Sequence, residues 1–114
     1  MTLVGRWRIF EMELWDRDAL ELMGPGFFEF GADGTGSFGF IAVEGWMDCR
    51  PVPSGGRPGL EFTWNGSDDG DPVSGRGTAT LQDDGSLHGR IYFHLGDESG
   101  FRAEQDDAAD HRRH

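Results

Sequence analysis

The sequence contains no lysine, a single cysteine and no long hydrophobic run, and each shortage removes a class of explanation. All ten basic residues are arginine, set against 21 acidic ones, and the net charge is −11. A surface of that sign repels phosphate backbones and anionic lipid, which argues against nucleic acid and membrane partners. It suits a cationic or neutral small molecule, or a basic protein. Cys49 alone cannot close an internal disulfide. The first ten residues read neither as a secretory leader nor as a transmembrane helix, so the expected compartment is the cytoplasm, with Cys49 reduced. No glycine-rich loop leads into a helix and no cysteine pair exists, so no cofactor is expected.

What is plentiful is glycine (19 residues) and aromatic side chain (nine Phe and four Trp). Hydrophobic residues make up 36% of the chain, too few for thick layers but enough for one apolar layer thickened by large rings. Glycine divides the chain into eight runs rich in Phe, Ile, Val, Trp and Thr, at about 5–14, 27–31, 35–44, 45–53, 58–65, 74–81, 87–95 and 99–104. Asp33-Gly34, Asp69-Gly70 and Asp84-Gly85 are hairpin signals, because glycine enters the left-handed region without steric cost. Residues 16–23 lack glycine and favour a short helix, with Asp16 as its cap and Gly24-Pro25-Gly26 as its stop.

Alternation assigns the faces. Leu60, Phe62 and Trp64 point one way while Glu61 and Thr63 point the other. Leu87, Gly89, Ile91, Phe93 and Leu95 oppose His88, Arg90, Tyr92 and His94. Eight half-buried strands in series leave two open edges unless the sheet closes on itself. The expected fold is therefore an all-β, antiparallel up-and-down barrel of about eight strands with one short helix after the first. The domain spans 1–105, followed by a charged, disordered tail at 106–114. A two-sheet sandwich is the structural competitor.

Gly5-Arg6-Trp7 at the first strand, with Arg102 in the last, resembles the calycins, the lipocalin and avidin group of barrels. That resemblance implies that Trp7 plugs one end of the barrel and that Arg102 packs over it. A longer likeness runs to about residue 104. It rests on Glu11-Met12-Glu13-Leu14-Trp15-Asp16, Gly45-Trp46-Met47-Asp48-Cys49-Arg50, Trp64-x-Gly66, Gly70-Asp71, Ser74-Gly75-Arg76-Gly77 and His94-Leu95-Gly96-Asp97-Glu98-Ser99-Gly100-Phe101. In these the chain looks like a family of small bacterial proteins, and the likeness implies one compact domain without implying an activity.

The first strand carries the sharpest question. Trp7, Ile9, Glu11, Glu13 and Trp15 share a face if the strand is regular. Glu11 and Glu13 then enter the lumen with Trp7, where lost hydration and mutual repulsion raise a carboxyl pKa and make an acid, a base or a cation ligand. Phe10, Met12 and Leu14 would then form an outer apolar stripe suited to a homodimer face. A bulge after Ile9 reverses this, turning Phe10, Met12 and Leu14 inward and the glutamates to water.

Other motifs read blandly. Asn65, Ser67, Asp69 and Asp71 have the oxygen spacing of a calcium loop, but Arg76 stands where the bidentate Glu belongs, and no metal is expected. Ser99 and His94 have no nucleophile elbow around them. His88 and His94 lie about 20 Å apart along one strand, too far to share an ion. Asp48 and Arg50 share a face with Trp46, as Arg90 does with Tyr92 and His94. Each is a binding surface if luminal and ordinary solvated wall if not.

Together these support a small-molecule-binding barrel with Glu11, Glu13, Trp15, Phe30, Phe40, Trp64 and Phe93 lining the site. The ligand would be flat and apolar, with a cationic or donor group. The alternatives are a barrel enzyme with a luminal Glu as acid or base in isomerisation, cyclisation or hydrolysis, and a filled-core interaction protein with an acidic surface.

Overall fold

The computed structural model describes residues 3–22 and 24–106. These form eight strands: β1 (Gly5–Met12), β2 (Phe27–Phe30), β3 (Thr35–Phe40), β4 (Val43–Pro51), β5 (Gly59–Asp68), β6 (Asp71–Leu81), β7 (Leu87–Phe93) and β8 (Glu98–Gln105). One helix, α1 (Arg17–Leu22), lies between β1 and β2. Each strand pairs antiparallel with the next, and β8 returns to β1, so the sheet is a closed barrel rather than a sandwich. Asp16 caps α1 by accepting from the Ala19 amide at 2.9 Å, and Gly24 follows it at φ +97°. The expected tail lies outside the described residues except for Asp106. Its amide donates to the Arg6 carbonyl and its carboxylate stands 3.4 Å from the Arg6 guanidinium.

Alternation sends one face of every strand inside. Trp7, Phe28, Phe38, Leu87, Ile91 and Ser99 are almost wholly buried. A barrel this narrow cannot accept a large residue from every wall, and the strands solve this by pairing rings with glycines. Phe38 lies opposite Gly45, Phe62 opposite Gly77, Trp64 opposite Gly75 and Phe101 opposite Gly89. A Cβ on Gly89 would come 2.6 Å from Phe101 Cζ, and one on Gly36 would come 2.8 Å from Met47 Cε. Each missing side chain is the space its neighbour occupies.

The barrel has two unlike ends. At one lie Leu3, the β2–β3 turn, the β4–β5 connection and the β6–β7 turn. Here the buried Trp7 donates from Nε1 to the Leu3 carbonyl at 2.9 Å. At the other lie α1 and the β3–β4, β5–β6 and β7–β8 turns. Asp69 and Gly70 form a two-residue turn, both at positive φ. The β3–β4 turn falls at Ile41-Ala42, not at the 44/45 break the glycine spacing indicates. Ile41, a β-branched residue, sits there at φ +53°. No turn residue marks the position, so the sequence hides it.

β1 contains the bulge that decides its register. Ile9 faces Ala103 and Glu11 faces Arg102, so two residues of β1 oppose one of β8. Met12 is thereby buried opposite Phe101, and Glu11 is turned outward.

Candidate functional site

The bulge corrects the placement of both glutamates. Glu11 and Glu13 are exposed on the outer wall, with side chains 56% and 63% accessible. Glu11 stands 3.6 Å from Arg102, and Glu13 stands 3.0 Å from Arg90, which also holds Glu98 at 3.1 Å. The physical reason is solvation: outside, each carboxylate keeps water and gains a cation, whereas inside it would meet only rings. Arg102 is corrected in the same way. It lies on the outer face and does not cover Trp7. Trp7 is buried, and its indole N–H bonds the Leu3 carbonyl. The outer apolar stripe does not form either, since Met12 is buried and Leu14 alone of the three is exposed. Ser99 is the one buried polar side chain among the described residues, so the interior offers no carboxyl or imidazole for acid–base work.

The aromatic residues fall into three levels. Phe28 is the hub of the middle one, with ring centroids 4.4 Å from Phe101, 5.2 Å from Phe38 and 6.1 Å from Phe62. These rings fill the barrel at mid-height and separate its ends. Phe30 lies on the Trp7 side of them. It lines a cleft of about 360 Å³ with Leu3, Cys49, Pro51, Pro58 and Leu60. Partial burial in this apolar setting pushes the Cys49 thiol up to about 11, with Asp48 adding to the shift.

The other four expected site residues are brought together at the α1 end. Trp15 lies 5.2 Å from Phe40 and 6.3 Å from Phe93, and Trp64 lies 5.1 Å from Phe93 in an edge-to-face contact. Trp15 and Phe93 are half-buried, so the cluster reaches the surface. Trp15 arrives on the segment leaving β1, which the Ser99 hydroxyl fastens by accepting from the Leu14 amide at 3.0 Å and donating to the Gly100 carbonyl at 2.9 Å. Glu13 reinforces it, its amide donating to the Gly100 carbonyl at 2.9 Å. The sequence gives no hint of the role of Ser99.

Trp64 is the anomaly in this cluster. Its side chain is buried, and Nε1 has no hydrogen-bond partner among the described residues. An unsatisfied buried donor costs about 1–3 kcal/mol. Nε1 lies against Gly75, where a Cβ would approach it to 2.9 Å. Gly75 also lines a hollow of about 460 Å³ with the outer-wall residues Thr63, Arg76 and Tyr92 and with Phe93 and His94. Two residues of the rim at this end hold positive φ: Leu95, 96% exposed, at +56°, and Ile41 at +53° on the turn after Phe40. Strain of this kind persists where the surroundings impose it and gathers at functional sites. Asp68, Asp69, Asp71 and Asp97 stand on the same rim's turns without an ion-pair partner among the described residues.

The calcium-loop reading does not survive the turn geometry. Asn65 and Ser67 share one face of β5, Asp69 lies in the two-residue turn and Asp71 opens β6 opposite Asp68, so the four residues form a regular hairpin rather than a loop wrapped around an ion. Among the described residues no group of His, Cys, Asp and Glu could hold a metal ion. His94 lies past the end of β7 and His88 near its start, so they do not approach each other. No described helix is long and apolar enough to cross a membrane. Comparisons with protein-family models and with curated proteins return no match.

Proposed function

We propose that the protein is a small-molecule-binding barrel whose site is the α1-end cluster of Trp15, Phe40, Trp64 and Phe93. The observation that carries this is the buried, unpartnered Nε1 of Trp64 behind Gly75. A ligand group that accepts a hydrogen bond would satisfy it, and the half-buried rings supply flat apolar contact. The acidic rim favours a neutral or cationic ligand over an anion. Selection for positive charge comes from the rim aspartates, not from Glu11 or Glu13. A plug at the Trp7 end and a ligand end opposite it is a calycin-like division of labour, which the eight-stranded closure also supports. The acid–base enzyme alternative loses the two residues it depended on.

One observation favours a second reading: the apolar cleft of about 360 Å³ beside Phe30 at the opposite end. The neutral fluorescent probe 6-propionyl-2-(dimethylamino)naphthalene, whose ketone oxygen can accept from Trp64 Nε1, separates the two. Saturable binding with energy transfer from tryptophan, weakened at least fivefold by Phe93→Ala or Trp15→Ala and unchanged by Phe30→Leu, supports the α1 end. Loss through Phe30→Leu alone moves the site to the other end. No saturable binding leaves a filled-core interaction protein.

A further inference from the structure

The outer wall of β4 to β7 carries a second concavity, which adjoins the hollow beside Gly75 and shares Thr63, Arg76 and Tyr92 with it. A barrel exterior is convex and does not by itself form a cup. Here the register sets the short Thr63 and Thr78 diagonally among longer side chains. Asp48, Thr63, Arg76 and Tyr92 stand in one cross-strand row, and Arg50, Glu61 and Thr78 in the next. Together they enclose about 370 Å³. The Arg76 guanidinium lies over the Tyr92 ring, 5.2 Å from its centroid, and this stack divides the cup from the hollow beside Phe93.

The distribution of ion pairs singles the cup out. Arg6, Arg8, Arg57, Arg90 and Arg102 each hold a carboxylate. Arg50 and Arg76 have no ion pair among the described residues, and both line the cup. In a chain with 21 acidic residues against ten basic ones, two guanidiniums without a carboxylate in the same cavity are unexpected. Asp48 and Glu61 line the same cup and are also outside ion-pair distance of both arginines. Thr63 and Thr78 add hydroxyls to its lining.

We propose that this cup binds a small oxyanion-bearing molecule, a carboxylate or phosphate, between Arg50 and Arg76. Guanidinium forks match the geometry of such groups, and stacking on Tyr92 pre-orients one of them. Asp48 and Glu61 make the cup selective: they weaken the binding of a bare anion without abolishing it, while a ligand that also carries an amino or hydroxyl group can donate to them and binds more tightly. Arg50, Asp48 and Glu61 line the cup and not the hollow beside Phe93, so variants at these residues separate this proposal from the aromatic site.

The test is a titration of isotope-labelled protein with inorganic phosphate and with acetate, each against potassium chloride at matched ionic strength, read from amide and arginine Nε–H signals. Saturable shifts at Thr63, Arg76 and Thr78 are expected with at least one probe, and which probe acts tells phosphate from carboxylate. Arg50→Gln and Arg76→Gln should each weaken binding about tenfold. Arg57→Gln, on a guanidinium already paired with Asp83, should not change it. Asp48→Asn should tighten it, which a general loss of structure would not do. Shifts reproduced by chloride, or saturable binding indifferent to both cup arginines, would overturn the proposal.

Discussion

Phe38 and Gly45 face each other across β3 and β4, and the ring occupies the volume that a Cβ on residue 45 would need. The same Cβ would meet Trp64 Cε3 at 3.1 Å, so neither neighbour can yield freely. Gly45→Ala is therefore expected to destabilise the barrel by about 1–3 kcal/mol through overpacking. Phe38→Leu in the same chain should recover part of that loss, and chemical denaturation of the single and double variants measures the coupling.

Trp7 and Arg102 are expected to behave as unlike residues, although the calycin likeness pairs them. Trp7→Phe removes the bond to the Leu3 carbonyl and leaves a void, at about 2–4 kcal/mol. Arg102→Gln breaks an exposed pair with Glu11 and should cost less than about 0.5 kcal/mol. Thermal unfolding of the two variants distinguishes a plug shared by both residues from one made by the tryptophan.

Much of this architecture is legible in the residues. The alternation of Leu60, Phe62 and Trp64, and of Leu87, Ile91 and Phe93, gives the correct inner face because each strand has one wet side. Asp33-Gly34, Asp69-Gly70 and Asp84-Gly85 mark real turns because glycine takes the positive φ. The β1 bulge after Ile9 is legible as one of two possible registers, but local alternation does not choose between them, because the choice is made by pairing with β8, where Met12 meets Phe101 and Glu11 meets Arg102. The Ile41-Ala42 turn is hidden for a like reason, as the pairing of Phe40 with Val43 forces an unfavourable residue into it. Of the expected site, Trp15, Phe40, Trp64 and Phe93 do converge. Phe30 is cut off from them by the Phe28 layer, which local periodicity cannot reveal.

Ser99 is expected to control the segment that carries Trp15. Ser99→Ala leaves the Leu14 amide without its acceptor and should cost about 1–2 kcal/mol. The diagnostic consequence is local: hydrogen exchange at Leu14 and Trp15 should accelerate more than exchange at Ile91 or Ala103. Equal acceleration everywhere would mean that the hydroxyl serves the whole barrel.

Cys49 should be slow to react at neutral pH. With its thiol raised to about 11, the thiolate fraction at pH 8 is small, and the alkylation rate should rise to an inflection near that value. The sign for stability follows. The folded pKa lies above the ordinary value of 9.0, so the contribution is fully present below that value and is lost as pH rises through the folded pKa. Cys49→Ser should flatten the alkaline limb of the stability profile between those two points.

The most direct test of the ligand site is an isotope-filtered nuclear Overhauser measurement on the protein with bound 6-propionyl-2-(dimethylamino)naphthalene, whose ketone supplies the acceptor that Trp64 Nε1 lacks. The account expects contacts from the probe to ring protons of Trp15, Phe40, Trp64 and Phe93, with the Trp64 indole N–H signal shifted on binding. Contacts confined to Phe30 and Leu60, or a Trp64 N–H signal that does not move, would contradict it.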